Sequence, residues 1–217
     1  MTSLLEANNV TYEPFSINLL EPTALVVGQA FSGSDPIAVV QELSVQDFYE
    51  YILLLGEWLA ELGLSIIAKD KESEQVIGAL IAADFASEPP LEMGKISDKF
   101  APIFHMFESL DNTYKQDKQI QFGKYLHLYM LAVSPQHRGK GIAQNLVSTT
   151  LEYGKKEGYK FAVTEAANQT SQHIFGKAGL IPRCKAMYSN FTYNDKRVFE
   201  VISDKGGTFL MDKHLNS

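Results

Sequence analysis

The segment YLHLYMLAVSPQHRGKGIA, residues 125–143, constrains this chain more than any other. Tyr125–Val133 is an apolar and aromatic run without a formal charge, the pattern of a strand buried on both faces. Ser134-Pro135 ends it, because proline cannot donate to a strand ladder. Gln136-His137-Arg138-Gly139-Lys140-Gly141 follows. Ile142, Leu146, Val147, Thr150 and Leu151 then recur at helical spacing, with Gly158 as the stop. A strand, a basic glycine turn and a helix N-terminus together make a phosphate site. Glycines let backbone N–H groups approach an anion, and the helix end supplies partial positive charge. Arg138 and Lys140 add full charges. Two common phosphate motifs are excluded. Position 144 is Gln144, so G-x-G-x-x-G fails, and G-x-x-x-x-G-K-[ST] is absent.

Length and composition narrow the class. The chain has 217 residues, which predicts a single domain over 1–217 carrying one insertion. It is 45% hydrophobic and 21% charged, ordinary for a soluble globular protein. A net charge of −7 argues against a nucleic-acid partner and is compatible with a cationic small molecule. Cys184 is the only cysteine, so no intrachain disulfide is expected and the cytoplasm is the natural compartment. The start MTSLLEANN lacks the basic and long apolar regions of a signal peptide, and no apolar run reaches membrane-spanning length, so no membrane partner is expected. The histidines and carboxylates lack metal-ligand spacing. Either a monomer or a homodimer fits.

The remaining pattern predicts an α/β protein with a mixed sheet. Val10–Asn18 reads as a first strand, with Pro14 near an edge. Glu21-Pro22 opens a helix with Leu25, Val26 and Ala30 as its apolar face. Asp35-Pro36 caps a short helix through Val40. Val45–Leu62 is a long amphipathic helix closed by Gly63. Leu64–Lys69 and Val76–Asp84 form a hairpin across a polar turn. Residues 86–123 are long for a connection within one domain. They carry Ile96, Phe100, Ile103, Phe104 and Phe107 at helical spacing, then a polar stretch over Asp111–Gln121, and either line a binding site or pack the insert onto the domain. Tyr159–Glu165 is a strand. Asn168 caps a helix running to Gly179, and Arg183–Tyr193 and Gly207–Lys213 are the last two strands, antiparallel.

Q-x-x-G-x-G directly after L-A-V-x-P resembles the acetyl-CoA-binding core of the GNAT superfamily of N-acetyltransferases, and the order of elements is similar over nearly the whole chain. The insert with its Lys95-x-x-x-Lys99-Phe100 run, the core LAVSPQHRGKGIA and the ending GTFLMDKHL resemble the insect-type arylalkylamine (dopamine) N-acetyltransferases. The resemblance implies the GNAT acyl-CoA N-acyltransferase fold, with acetyl-CoA as co-substrate. It implies Leu131, Ala132 and Val133 along the pantetheine arm, where the core strand splays from its neighbour. It places Gln136, His137, Arg138, Gly139, Lys140, Gly141, Ile142 and Ala143 at the pyrophosphate, and Asn168 and Ser171 at the later helix start. In the insect-type enzymes a glutamate before Pro-Leu acts as base through water, and Asp35 stands there on a shorter stem. Of two serines implicated in those enzymes, one falls at Ser171 and the other at Ala167. The vertebrate pattern of two histidines on the core strand falls at His127 and Tyr129, and its tyrosine acid falls at Phe175. The chain is a composite of the two patterns.

The implied chemistry is transfer of acetyl from acetyl-CoA to a small primary amine, with an arylalkylamine as the favoured acceptor. The rivals are a polyamine or peptide amine acetyltransferase, and a non-catalytic acyl-CoA-binding GNAT module. An ammonium has no lone pair, so a base must take its proton. A neutral imidazole suits this, which nominates His127, and Asp35 is the second candidate. Tyr129 and Ser171 complete the catalytic set. Strict alternation along the strand predicts that His127 and Tyr129 share a face with Leu131 and Val133. A backbone N–H near Leu131 is expected to stabilise the acyl oxygen.

Overall fold

The computed structural model describes residues 3–90 and 96–215. Eight strands form one mixed sheet. In chain order the elements are β1 (Leu5–Ala7), β2 (Val10–Pro14), α1 (Leu20–Phe31), α2 (Pro36–Val40), α3 (Val45–Leu62), β3 (Ile66–Asp70), β4 (Val76–Asp84), α4 (Ala101–Lys115), β5 (Tyr125–Val133), α5 (Ile142–Lys156), β6 (Phe161–Ala166), α6 (Gln169–Lys177), β7 (Ile181–Met187) and β8 (Gly207–His214). The sheet order is β1-β2-β3-β4-β5-β6-β8-β7, and β5–β6 is its parallel pair. One face packs against α1 and α3, the other against α5 and α6.

Local chemistry explains most boundaries. Ser44 and Asp47 cap α3 reciprocally: Asp47 N–H donates to Ser44 Oγ at 3.1 Å, and Ser44 N–H donates to Asp47 Oδ2 at 2.8 Å. Gly63 ends that helix at φ 64°, a left-handed conformation that glycine adopts without Cβ strain. The N-terminal reading needs correction. The first strand stops at Pro14 and is preceded by β1. The two are joined by Asn8 and Asn9 at φ 52° and 64°, the turn that suits a tight hairpin. On α1, Leu25 is exposed, while Ala24 and Val27 are fully buried. Near the other end, β7 runs over Ile181–Met187, not to Tyr193. Among the described residues no helix is long and apolar enough to cross a membrane.

Residues 86–123 leave the sheet between two antiparallel neighbours, so the insert is a long hairpin excursion. Asp84 closes its neck. Its Oδ1 accepts from Ala86 N–H at 2.8 Å. Its Oδ2 accepts from Gly123 N–H at 2.6 Å and from the Tyr159 hydroxyl at 3.0 Å. Lys95 of the insert lies outside the described residues.

The core strand differs from expectation in a way that shapes the site. Ile81 pairs with Met130, but Ala82 pairs with Leu128, so Tyr129 is an extra residue at a β-bulge. The bulge reverses the parity of everything after it. His127 and Tyr129 face the α1/α3 side, as do Met130 and Ala132, whereas Leu131 and Val133 pack toward α5. The expected common face of His127, Tyr129, Leu131 and Val133 is therefore wrong. Nor is the strand buried throughout, since His127, Tyr129, Leu131 and Val133 are all half-buried.

Cutting the neck of the insert tests its worth. Asp84→Ala leaves three donors without their acceptor, those of Tyr159 and Gly123 buried and half-buried, and is expected to lower stability by about 2–4 kcal/mol, read as a shifted midpoint in urea unfolding.

Candidate active site

β5 and β6 pair only over Tyr125–His127 against Phe161–Val163. Beyond that point they diverge. The Thr164 hydroxyl bridges the start of the gap, donating to Leu128 O at 2.8 Å. Ser134 N–H donates to Ile77 O at 2.8 Å. In an antiparallel ladder the bonded residues alternate, so Ala132 and Ser134 turn their backbone toward β4. Leu131 and Val133 turn theirs the other way, into the gap. A cavity of about 700 Å³ occupies this opening.

One end of the cavity is the glycine loop. Gly139 and Gly141 sit at φ 78° and 79°, and a Cβ at either would meet nothing within 4 Å. The turn thus needs glycine for its backbone, and its outer surface is open for an anion to approach. Gly141 is also the N-cap of the 15-residue α5. Buried His137 Nδ1 has no partner on the protein. These features fit a CoA pyrophosphate, whose bound thioester would supply the acyl group. Of the residues assigned to the cofactor from sequence, Leu131, Val133, His137, Arg138, Gly139, Gly141, Ile142, Ala143, Asn168 and Ser171 line the cavity. Ala132, Gln136 and Lys140 are not among the wall residues. Ala132 packs into the opposite core, and Gln136 and Lys140 are exposed at the rim of the loop. Arg138 has a second job: its Nη2 donates to Ala30 O at 3.0 Å and to Ser34 Oγ at 2.9 Å, tying the glycine loop to the end of α1.

The other end is aromatic and acidic. Phe31, Phe48 and Tyr51 from α1 and α3 meet Phe100, Phe104 and Phe107 from the insert. Phe100 stacks on Phe104 at 5.5 Å and meets Phe48 edge-on at 5.3 Å. The insert aromatics therefore both pack the insert onto the fold and face the cavity.

Asp35 caps α2, accepting from Ala38 N–H at 3.2 Å, and also accepts from Asn168 Nδ2 at 3.0 Å. It thereby bridges the starts of α2 and α6. Burial raises its pKa, and the bonds from Asn168 and Ala38 only partly offset that. Ser171 is held in the α6 cap: its Oγ donates to Asn168 O at 2.9 Å and accepts from Asn168 N–H at 3.2 Å.

His127 is not on the wall. Its Nε2 is 2.7 Å from Glu165 Oε2, and Glu165 is the wall residue. Burial lowers the imidazole pKa, but the charge and bond of Glu165 outweigh it and the net shift is upward. Tyr129 lines the cavity, and its hydroxyl hydrogen-bonds the Tyr51 hydroxyl. Burial drives the Tyr129 phenol up to about 12, so it keeps its proton at neutral pH and can donate one.

Sequence reasoning missed Glu165, Tyr51 and Asp111, whose carboxyl group Glu165 helps to raise. A charge on the buried strand FAVTEA was a usable signal for Glu165. Asp111 sat in a stretch read only as polar.

A profile of the acetyltransferase (GNAT) family matches residues 37–180. The chain belongs to this family. Among solved structures, it is similar to arylalkylamine N-acetyltransferase 2 from Aedes aegypti. The TM-score is 0.79 at 20% identity, covering 96% of this chain and 100% of that one. It is also similar to the C-terminal condensation domain of Ebony in complex with β-alanyl-dopamine. There the TM-score is 0.87 at 13% identity, with 94% and 98% covered. At these identities the likeness is one of fold. Rat N-acetyltransferase 8B is 50% identical over 44 residues, which span 20% of this chain and 20% of that protein.

Gly141→Asp should abolish acetyl-CoA binding in calorimetry while circular dichroism stays native. The substitution strains a left-handed residue and places a negative charge where the pyrophosphate would lie. Unchanged affinity in the folded variant would remove the loop from the cofactor site.

Proposed function

We propose that this protein is an acetyl-CoA-dependent N-acetyltransferase whose acceptor is a small primary amine bearing an aromatic group. The observation that carries the reading is the single cavity that joins the open glycine turn to an aromatic wall with two buried carboxyl groups, Asp35 and Glu165. The glycine loop, His137 and the α5 N-terminus hold the pyrophosphate end. The outward backbone of Leu131 and Val133 runs along the pantetheine arm and offers an N–H to the acyl oxygen. The aromatic wall takes the ring of the acceptor by stacking and edge contacts. The carboxylates attract the ammonium, and one of them takes its proton. Tyr129 supplies a proton to the departing thiolate. His127 acts through Glu165 in this arrangement, not on substrate directly, and Ser171 serves chiefly to cap α6. One fold neighbour is an arylalkylamine N-acetyltransferase and another is bound to β-alanyl-dopamine, which supports an aromatic acceptor.

Thiol release from acetyl-CoA with a panel of amines tests this. Tyramine, dopamine or tryptamine should turn over with the highest kcat/KM. Activity confined to spermidine or to peptides would sink the aromatic assignment, and cofactor binding with no turnover would make the chain a sensor of acyl-CoA.

The insert gives a separate check. Phe104 is half-buried and stands between the Phe100 and Tyr51 rings at 5.5 and 5.7 Å. Phe104→Ala is expected to raise KM for tyramine roughly tenfold, about 1.4 kcal/mol, with KM for acetyl-CoA little changed. Equal effects on both would leave the insert a packing element.

A further inference from the structure

Asp111, on the insert helix α4, belongs to a buried cluster with Glu165 and His127, and the reading above does not use it. Glu165 lies at its centre. One carboxylate oxygen, Oε2, is 2.7 Å from His127 Nε2. The other, Oε1, is buried and reached by no protein N–H or O–H. Asp111 Oδ1 is buried and unreached in the same way. The two carboxyl groups nonetheless act on one another, each standing among the causes that move the other's pKa. Two buried carboxylates with no donor between them repel, so the arrangement calls for a proton that makes them a carboxyl–carboxylate pair. The Glu165 side chain is only 2% exposed, so its charge is poorly screened by solvent.

We infer that Asp111 and Glu165 form a proton-sharing pair, and that this pair, not an isolated carboxylate, takes the proton from the acceptor amine. The inference rests on the acetyltransferase reading for its catalytic half. Glu165 brings the pair to the cavity wall, and Asp111 is a positioning residue acting through it. In the proton-accepting form both carboxylates are charged, beside the His127 ring whose pKa Glu165 raises. The ammonium N–H bond breaks, its electrons remain on nitrogen as the attacking lone pair, and the proton closes the O–H–O bridge. Charge balances: two anions and one cation become one carboxyl, one carboxylate and a neutral amine.

The physical gain is basicity. A solvated carboxylate is a poor base toward an ammonium, because its pKa lies near 4. Burial and the neighbouring charge of Glu165 push Asp111 up to about 8, close to where an efficient general base should stand. The charge of His127 pulls the other way and is outweighed. Lys115, one turn along α4, approaches Asp111 Oδ2 only to 3.9 Å and is partly exposed, so its effect is smaller still. The remaining titratable groups facing the cluster are Tyr129 on β5 and Cys184 on β7, both raised chiefly by burial. Lys118 bears on Cys184 from α4.

The experiment has two arms. In the first, the full chain labelled with 13C at the aspartate carboxyl carbon is titrated by NMR. One aspartate signal should titrate near pH 8, vanish in Asp111→Asn and move to lower pH in Glu165→Gln. If no signal titrating above pH 6 is lost in Asp111→Asn, or none does so in the unsubstituted chain should that variant fail to fold, the shared proton does not exist.

In the second arm, kcat/KM for tyramine with acetyl-CoA is followed from pH 5.5 to 9.5. It should rise through an apparent pKa of about 8. The sign follows from the base being active when deprotonated. Asp111→Asn keeps the shape and a donor to Glu165 but cannot release the proton. It should remove that limb and lower the rate about 10²-fold, with KM for acetyl-CoA unchanged and with partial recovery in Asp111→Glu. A folded Asp111→Asn enzyme that keeps the limb and the rate overturns the catalytic role even if the NMR signal is present. Failure of every amine to turn over overturns the acetyltransferase reading and the catalytic role together, while the first arm still decides the pair.

Discussion

The divergence of β5 from β6 after His127 is the constraint on which the site depends. Parallel neighbours in a buried sheet normally continue their ladder, and backbone groups left without partners there are costly. Here the ladder stops after three residue pairs. The outward N–H and C=O groups of Leu131 and Val133 face a cavity instead of a strand. That opening holds the cavity, and it places the glycine turn at the mouth. The bulge at Tyr129 acts in the same strand. By adding one residue it turns Tyr129 toward α3 while letting Leu131 and Val133 pack toward α5. One strand thus turns Tyr129 to the aromatic end of the cavity and Leu131 and Val133 to the glycine-loop end.

The insert supplies much of the aromatic end of the cavity. α4 contributes Phe104 and Phe107 to the aromatic wall, with Phe100 just ahead of it, and Asp111 to the buried cluster. These roles need the helix held in place, and it is anchored at both ends. Asp84 gathers the neck, and the Tyr114 hydroxyl donates to Asp212 Oδ2 on β8 at 2.7 Å. Asp212 in turn pairs with Arg183 Nε at 2.6 Å. Arg138 and Asp35 make similar ties on the other side, from the glycine loop to α1 and from α2 to α6. The walls of the cavity are thus tied to one another as well as to the sheet.

Much of this was legible in the amino-acid order. The bounds of α3, β4 and β5 follow from a capping serine, a C-terminal glycine, and two uncharged runs ended by turn residues. The glycine loop, the cap at Asn168 and the cap at Asp35 are likewise local, because capping and left-handed turns involve residues within four positions of one another. The family follows from the same stretch. What stayed illegible shares one property: it joins residues far apart in the chain. Nothing near Tyr129 announces an extra residue, because a bulge is defined against its partner strand. His127 looked like a free base because its partner, Glu165, is 38 residues away. Asp111 looked like surface because the burial that raises its pKa comes from a sheet the helix meets only after folding. The sequence by itself determined the elements, the anion-binding turn and the class of chemistry. The tertiary structure alone decided which carboxyl groups meet, since burial and charge coupling act through space and leave no trace in spacing.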